Sequence, residues 1–302
     1  MARIAIIVNP NAKKGKCQKE LTYISDYFLK KGEDVTVFKT QKAGDAIAFA
    51  KEACEQGYDI VIAAGGDGTV NECADGIMRA KRKAKLGIIP IGRGNDYAWV
   101  SKIPTNVKDA CDLILNGKAK KVDVGYIVDY DSNTNRYFLN GAGFGFEPAV
   151  NFKASSYKHL NGMPSYVMAF IYTLCHIPKP IKTHIVADGK TYDINTQQIS
   201  VCNGRRMGSA FIMAPNGKID DGKIDLVFSN APISLLELFN YAFRFFKGTQ
   251  LKTKKFEEHH VKHVSIELED KIPVHADGEK INYGSTHCDI DLLEGALEVF
   301  HG

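Results

Sequence analysis

Residues 59–72 read DIVIAAGGDGTVNE. An apolar run of strand length, Asp59 to Ala64, meets two glycines and then a helical pattern from Thr69 to Ala80. A strand, a glycine turn and a helix N-terminus in that order make a phosphate cradle. Glycine lets the backbone approach the ligand, and the first N–H groups of the helix point at the anion. Asp67 sits oddly in such a turn, because a carboxylate repels phosphate. It fits if a divalent cation stands between them, or if the carboxylate takes or orients a proton. A tight turn capped by Asp is the bland alternative, and one short glycine motif leaves the choice open.

The sequence on either side alternates strand and helix signals. Arg3 to Val8, Val35 to Phe38 and Leu86 to Ile91 read as strands; Cys17 to Lys31, Gly44 to Gln56 and Asn106 to Asn116 read as helices. This alternation predicts an open, mostly parallel sheet covered on both faces, with ligands beyond the carboxyl ends of its strands. Three polar turns fall at those ends. They are Asn9-Pro10 with Lys13, Lys14 and Lys16 behind it, the Gly65-Gly66 turn, and Gly92-Arg93-Gly94-Asn95-Asp96.

The pattern changes near Lys120. Asp123 to Val128 and Tyr137 to Ala142 read as a hairpin around Asp131–Asn135. Strands follow at Ile181 to Ala187, Thr191 to Val201, Ile224 to Phe228, Val261 to Leu268 and Ile272 to Ala276. The expected architecture is an α/β nucleotide-binding domain over 1–122 and an all-β sandwich over 123–302. Two helical stretches interrupt the second half, Ser165 to Ile177 and Pro232 to Lys247. The latter puts Leu235, Leu238, Phe239, Ala242 and Phe246 on one face, opposite Glu237, Asn240, Arg244 and Lys247. It reads as an amphipathic helix on the sandwich. With Lys247, Lys252, Lys254 and Lys255 it also reads as a docking element for an anionic membrane.

Composition narrows the classes. The charged fraction of 25% and hydrophobic fraction of 44% are ordinary for a globular protein, and the net charge of +4 does not demand nucleic acid. Seven scattered cysteines, none spaced as CxxC, argue for reduced thiols and not for a disulfide frame or zinc site. No secretory leader precedes the first strand, and no apolar run reaches the roughly 18 to 20 residues that span a bilayer. A cytoplasmic protein is expected. Histidines 259, 260 and 263 read as surface residues before a strand.

Two more acidic features complete the set. Asn216 to Asp225 carries Asp220, Asp221 and Asp225, either a solvated turn or a hard-cation site of carboxylates and backbone carbonyls. Asp277-Gly278-Glu279 offers two carboxylates in a turn after a strand.

Taken together, GGDGTVNE, the GND of Gly94 to Asp96, the IDDGKID run and the late DGE resemble the bacterial lipid kinases related to diacylglycerol kinase. Sphingosine and ceramide kinases are more distant relatives. The likeness extends to Asn9-Pro10, to Thr40 with Gly44-Asp45-Ala46, and to Asn140–Phe146, so it covers nearly the whole chain.

The resemblance implies the two-domain fold with the active site in the cleft between the domains, ATP and Mg2+ as cofactors, and a lipid hydroxyl as acceptor. It implies that Asn9, Thr40, Gly65, Gly66, Gly68, Thr69, Asn71, Glu72, Gly92, Arg93, Gly94 and Asn95 serve the nucleotide. Asp67 and Asp96 would help place phosphates and the catalytic magnesium. Asp277 matches the general base, and Glu279 an acidic residue near the metal. Asp221 and Asp225, with the Ile224 main-chain carbonyl, match a second, structural magnesium site. Arg93 departs from the small hydroxyl residue usual in the family, and Glu147 stands where Asp is usual. Expected partners are ATP, a lipid at the membrane surface reached by peripheral contact, and, as an open alternative, a second copy of the chain; no nucleic acid is expected. Two rivals remain, an NAD kinase, which shares GGDGT and whose motif Gly284-Ser285-Thr286 resembles, and a non-catalytic nucleotide or lipid binder of the same fold.

Overall fold

The computed structural model describes residues 1–10, 17–157, 163–176 and 178–302. The chain divides into two compact units, Met1–Val124 with Glu294–Gly302, and Gly125–Leu293. The chain's end therefore belongs with the first unit, whereas the sequence reading assigned all of 123–302 to one domain.

The first unit alternates β1 (Arg3–Val8), α1 (Cys17–Lys30), β2 (Asp34–Lys39), α2 (Asp45–Glu55), β3 (Ile60–Gly65), α3 (Asp67–Arg79), β4 (Lys85–Pro90), α4 (Asp96–Val100) and α5 (Val107–Asn116). β1 pairs in parallel with β2 on one side and β3 on the other, β3 pairs in parallel with β4, and Val299 adds in parallel beside Leu86. Continuous burial of Ile4–Val8 and Ile60–Ala64 explains why these strands read as unbroken apolar runs. In the order β2-β1-β3-β4 the chain leaves β1 in one direction and returns on its other side. The switch point thus falls between β1 and β3, and Asn9 and Gly66 follow their carboxyl ends.

The second unit begins within β5 (Ala119–Asp129) and continues with β6 (Thr134–Phe138), β7 (Gly141–Gly145), α6 (Phe146–Ser156), α7 (Met163–Cys175), β8 (Ile181–Ala187), β9 (Lys190–Thr196) and β10 (Gln198–Cys202). Then come β11 (Arg206–Met207), β12 (Phe211–Ile212), β13 (Ile224–Ser229), α8 (Leu235–Lys247), β14 (Phe256–Val261), β15 (His263–Ala276) and β16 (Glu279–Phe300). The strand pairs within this unit are antiparallel. β15 organises it. Val264–Leu268 pairs with β8, and past register shifts between Glu267 and Ile272 the strand pairs with β7 through Val274–Ala276. Phe138, Phe144, Ile185, Phe228, Ile266, Val274 and Ile290 bury a common core.

Several expectations need correction. Tyr137 to Ala142 is not one strand, because the N–H groups of Leu139, Asn140 and Gly141 turn to the Asp277 carboxylate and leave the ladder. Thr191 to Val201 breaks at Gln197, whose side-chain amide pairs with both backbone groups of Ile233. Val261 to Leu268 and Ile272 to Ala276 are largely one bulged strand, β15. The helix expected from Pro232 starts at Leu235, where Ser234 and Glu237 form a capping box. Elements α4, α6, β14 and β16 were not anticipated, and His259 and His260 lie within β14. Lys13, Lys14 and Lys16 fall outside the described residues, as does Ile177.

Candidate active site

The carboxyl edge of the first sheet gathers the segments the sequence marked. Thr40 follows β2, is 7% exposed, and its N–H donates to the Val8 carbonyl (2.9 Å). The two glycine turns touch. A Cβ on Gly92 would lie 2.2 Å from Gly66 Cα, so only glycine permits the approach. Beneath them, a Cβ on Gly65 would meet Thr69 Oγ1 at 2.4 Å. The helix α3 starts at Gly66 without any side-chain cap. Its first N–H groups, from Asp67, Gly68 and Thr69, thus form an electropositive end beside the paired turns.

The polar residues around this edge do structural work. Asp67 Oδ1 accepts the N–H groups of Asp96 (2.6 Å) and Tyr97 (3.4 Å), which ties the first turn to the start of α4. Burial raises the Asp67 carboxyl, and these backbone donors oppose the rise. The bland reading of Asp67 as a cap is thus correct in part: it caps α4 and not its own helix. Glu72 accepts from the N–H groups of Gly44 (2.9 Å) and Ala46 (3.1 Å), one oxygen each, at the start of α2. Its carboxylate thereby holds the start of α2; service to the nucleotide was the expectation for Glu72. Asn71 is buried inside α3. Asn95 adopts φ 51° and accepts the Gly92 N–H (3.1 Å), holding the second turn closed. Asp96 is buried and Arg93 exposed, with Gly94 between them partly exposed.

In the second unit, Asp277 and Gly278 form the two-residue turn between β15 and β16, with Ala276 opposite Glu279. Their φ values of 51° and 82° are those of a type I′ hairpin, for which Asp-Gly is a favoured pair. The Asp277 carboxylate accepts three backbone N–H groups, from Leu139 (2.7 Å), Asn140 (2.8 Å) and Gly141 (2.8 Å). Burial nevertheless pushes its carboxyl up to about 6. Beside it, Gly278 N–H donates to His275 Nδ1 (3.0 Å), so the other ring nitrogen carries the proton and donates to Glu147 Oε1 (3.1 Å). Glu147 Oε2 accepts from Gln198 (3.2 Å) and Ser200 (3.3 Å). A Cβ on Gly143 would fall 2.7 Å from His275 Nε2, so that glycine makes room for the pair. His275 and its link to Glu147 were missed by sequence reasoning. Glu279 opens β16, partly exposed.

The acidic run lies elsewhere in this unit. Asp225 is 2% exposed and receives His260 Nδ1 at 2.5 Å. Burial first, and then the charge of Glu258, push the Asp225 carboxyl up to about 7; Asp221 adds to the rise and His260 opposes it. Glu258 Oε2 accepts from Asn216 (2.5 Å), while its Oε1 is buried with no hydrogen-bond partner among the described residues. Such a surplus of buried negative charge fits a hard cation held by carboxylates and main-chain carbonyls. Among the described residues, however, no three His, Cys, Asp or Glu side chains converge as a ligand set. Ile224 itself is buried in β13. The Ser285 and Thr286 hydroxyls donate to Asp129 (2.5 Å) and Asp131 (3.0 Å), so the triplet resembling NAD kinases is part of the sandwich framework here.

Comparison with known proteins agrees across the chain. Residues 3–127 match the diacylglycerol kinase catalytic domain, and residues 141–301 match the YegS C-terminal NAD kinase beta sandwich-like domain. A diacylglycerol kinase of Bacillus subtilis is 29% identical over 92% of this chain and 90% of its own length. One from Staphylococcus aureus is 30% identical over 99% of this chain and 92% of its own length. A solved diacylglycerol kinase structure from Bacillus anthracis matches with a TM-score of 0.73 and 25% identity, covering 100% of this chain and 97% of that one.

Proposed function

The chain belongs to the diacylglycerol kinase family and is a lipid kinase, a phosphotransferase with an alcohol group as acceptor; from that premise we propose that it transfers the γ-phosphoryl group of ATP to the hydroxyl of diacylglycerol or a related lipid alcohol. The observation that supports this most is the contact of the Gly66 and Gly92 turns at the carboxyl edge of the parallel sheet, beside the uncapped start of α3. Phosphoryl transfer asks mainly for alignment and charge neutralisation, and that edge offers backbone donors for both.

In this reading Asn9, Thr40, Gly66, Gly68, Thr69 and the Gly92–Asn95 turn hold the nucleotide. Asp67 and Asp96 serve magnesium beside the phosphates, and the desolvation that raises Asp67 suits a carboxylate next to a cation. Asp221, Asp225 and the Ile224 carbonyl serve a second ion, for which the buried surplus of carboxylates is the support. Magnesium, when bound, neutralises the charge of the phosphates. Asp277 takes the proton of the acceptor hydroxyl, and its raised carboxyl suits a base working near neutral pH. Glu279 adds negative charge next to that turn.

The deciding experiment incubates the protein with γ-labelled ATP and a panel of diacylglycerol, monoacylglycerol, sphingoid base, ceramide, phosphatidylglycerol and NAD. Label in a lipid product supports the proposal, and label in NAD alone refutes it. Gly92→Ala puts a methyl into the Gly66 backbone. It should cost about 1 to 3 kcal/mol of stability in a denaturant melt and, by pushing the two turns apart, weaken ATP binding in a calorimetric titration.

A further inference from the structure

The helix α8 carries more apolar surface than the sandwich covers. Leu238 and Tyr241 are buried, and Phe245 packs with them into a cluster that includes Met213, Val227 and Phe256. On a helix at 100° per residue these residues share one face. A second apolar stripe lies on the far side of the helix, turned away from that cluster. Leu236 is 85% exposed, Phe243 70%, Phe246 60% and Phe239 49%. Leu235, Phe239 and Phe246 were expected on the buried face and are 47%, 49% and 60% exposed, so the covered face of the helix is not the one the sequence reading chose. A monomeric protein seldom leaves four large apolar side chains in line without a use for them.

The charges beside the stripe indicate what covers it. Lys255 is taken by Glu237 (2.7 Å), whose carboxyl that contact and the helix cap hold down at about 2. The expected cluster of four lysines therefore reduces to Lys247, Lys252 and Lys254, all exposed, at the C-terminal end of α8 and in the segment after it. The helix is also fixed at both ends, by the Ser234–Glu237 capping box and by Gly248 at φ 64°. It can meet a surface without a cost of ordering.

We infer that the outer face of α8 docks this chain on an anionic bilayer, an inference that rests on the lipid-kinase reading and gives that activity its surface. Aromatic and leucine side chains enter the acyl boundary, and the three lysines face acidic headgroups. A second copy of the chain is the other occupant, and the test below separates it from a bilayer. No helix among the described residues is long and apolar enough to cross a membrane, so contact through one face suits the helices present.

The test compares wild type with Leu236→Ser/Phe243→Ser/Phe246→Ser and with Lys247→Glu/Lys252→Glu/Lys254→Glu. All six positions are exposed, so circular dichroism and melting should remain as in wild type. Co-sedimentation with vesicles of phosphatidylglycerol and phosphatidylcholine should weaken by on the order of a hundredfold for the lysine variant. The apolar variant should bind at least about tenfold less. Both should still phosphorylate a short-chain diacylglycerol dispersed in solution. Unchanged vesicle binding in either variant overturns the inference. So does a wild-type dimer that the apolar variant converts to monomer without loss of vesicle binding. If wild type binds vesicles, the variants do not, and no lipid is phosphorylated, the docking face stands and the acceptor reading fails.

Discussion

Asp188-Gly189 and Asp277-Gly278 turn two hairpins of the second unit with nearly the same backbone, φ 46° and 80° in the first and 51° and 82° in the second. Each aspartate accepts backbone N–H groups from a neighbouring segment. Asp188 takes those of Lys262 (2.9 Å) and His263 (3.0 Å) at an exposed corner between β8 and β9. Asp277 takes three, and lies beside the buried His275 and its Glu147 partner. The dipeptide makes the turn in both places. The surroundings of Asp277 desolvate its carboxylate and hold it up at about 6, which suits the proton-accepting role proposed for it. A short motif therefore identifies a turn, and long-range partners decide whether the turn is a site.

Substitution sharpens this contrast. The largest effect belongs to Asp277→Asn, for which kcat should fall by about 10² to 10⁴, the usual worth of a general base. The wild-type pH profile carries the same claim. The base works unprotonated, so turnover should fall as pH drops through about 6, where an ordinary carboxylate would titrate near about 4. His275→Ala comes next. It removes the acceptor of the Gly278 N–H and the donor to Glu147, at about 1 to 3 kcal/mol in a denaturant melt. The smallest effect is that of Asp188→Asn, a loss of at most about 1 kcal/mol in stability with kcat unchanged. If Asp188→Asn lowered kcat as far as Asp277→Asn, the contrast between the turns would collapse.

The parts of the molecule legible in the sequence are those whose cause is local. Strand-length apolar runs separated by helical periodicity gave the parallel sheet, and Gly65-Gly66 and Gly92 marked turns that do meet. A strand fully buried on both faces cannot hide its composition. The partners of the candidate site carboxylates could not be read this way, since Leu139 and Gly141 stand 138 and 136 residues from Asp277. Glu72 looked like part of a ligand motif, yet it serves the α2 terminus through a contact 28 residues back. Two signals were present and unread. The Asp-Gly pair at 277–278 predicts a returning strand, which is β16, and Ser234 followed by Glu237 predicts where α8 begins. The exposure of Phe243 had no local signal, because periodicity tells which residues share a face and not which face is covered.

The division of labour between the two units is tested most directly on a single Asp277→Ala preparation. ATP binding is measured by calorimetric titration and transfer of γ-label to diacylglycerol in mixed micelles is measured beside it, with wild type as the reference. Nucleotide affinity within about twofold of wild type, with label transfer reduced by about 10² or more, is the predicted result. Transfer at a near wild-type rate would contradict the assignment of Asp277 as the proton acceptor, and the account of this site with it.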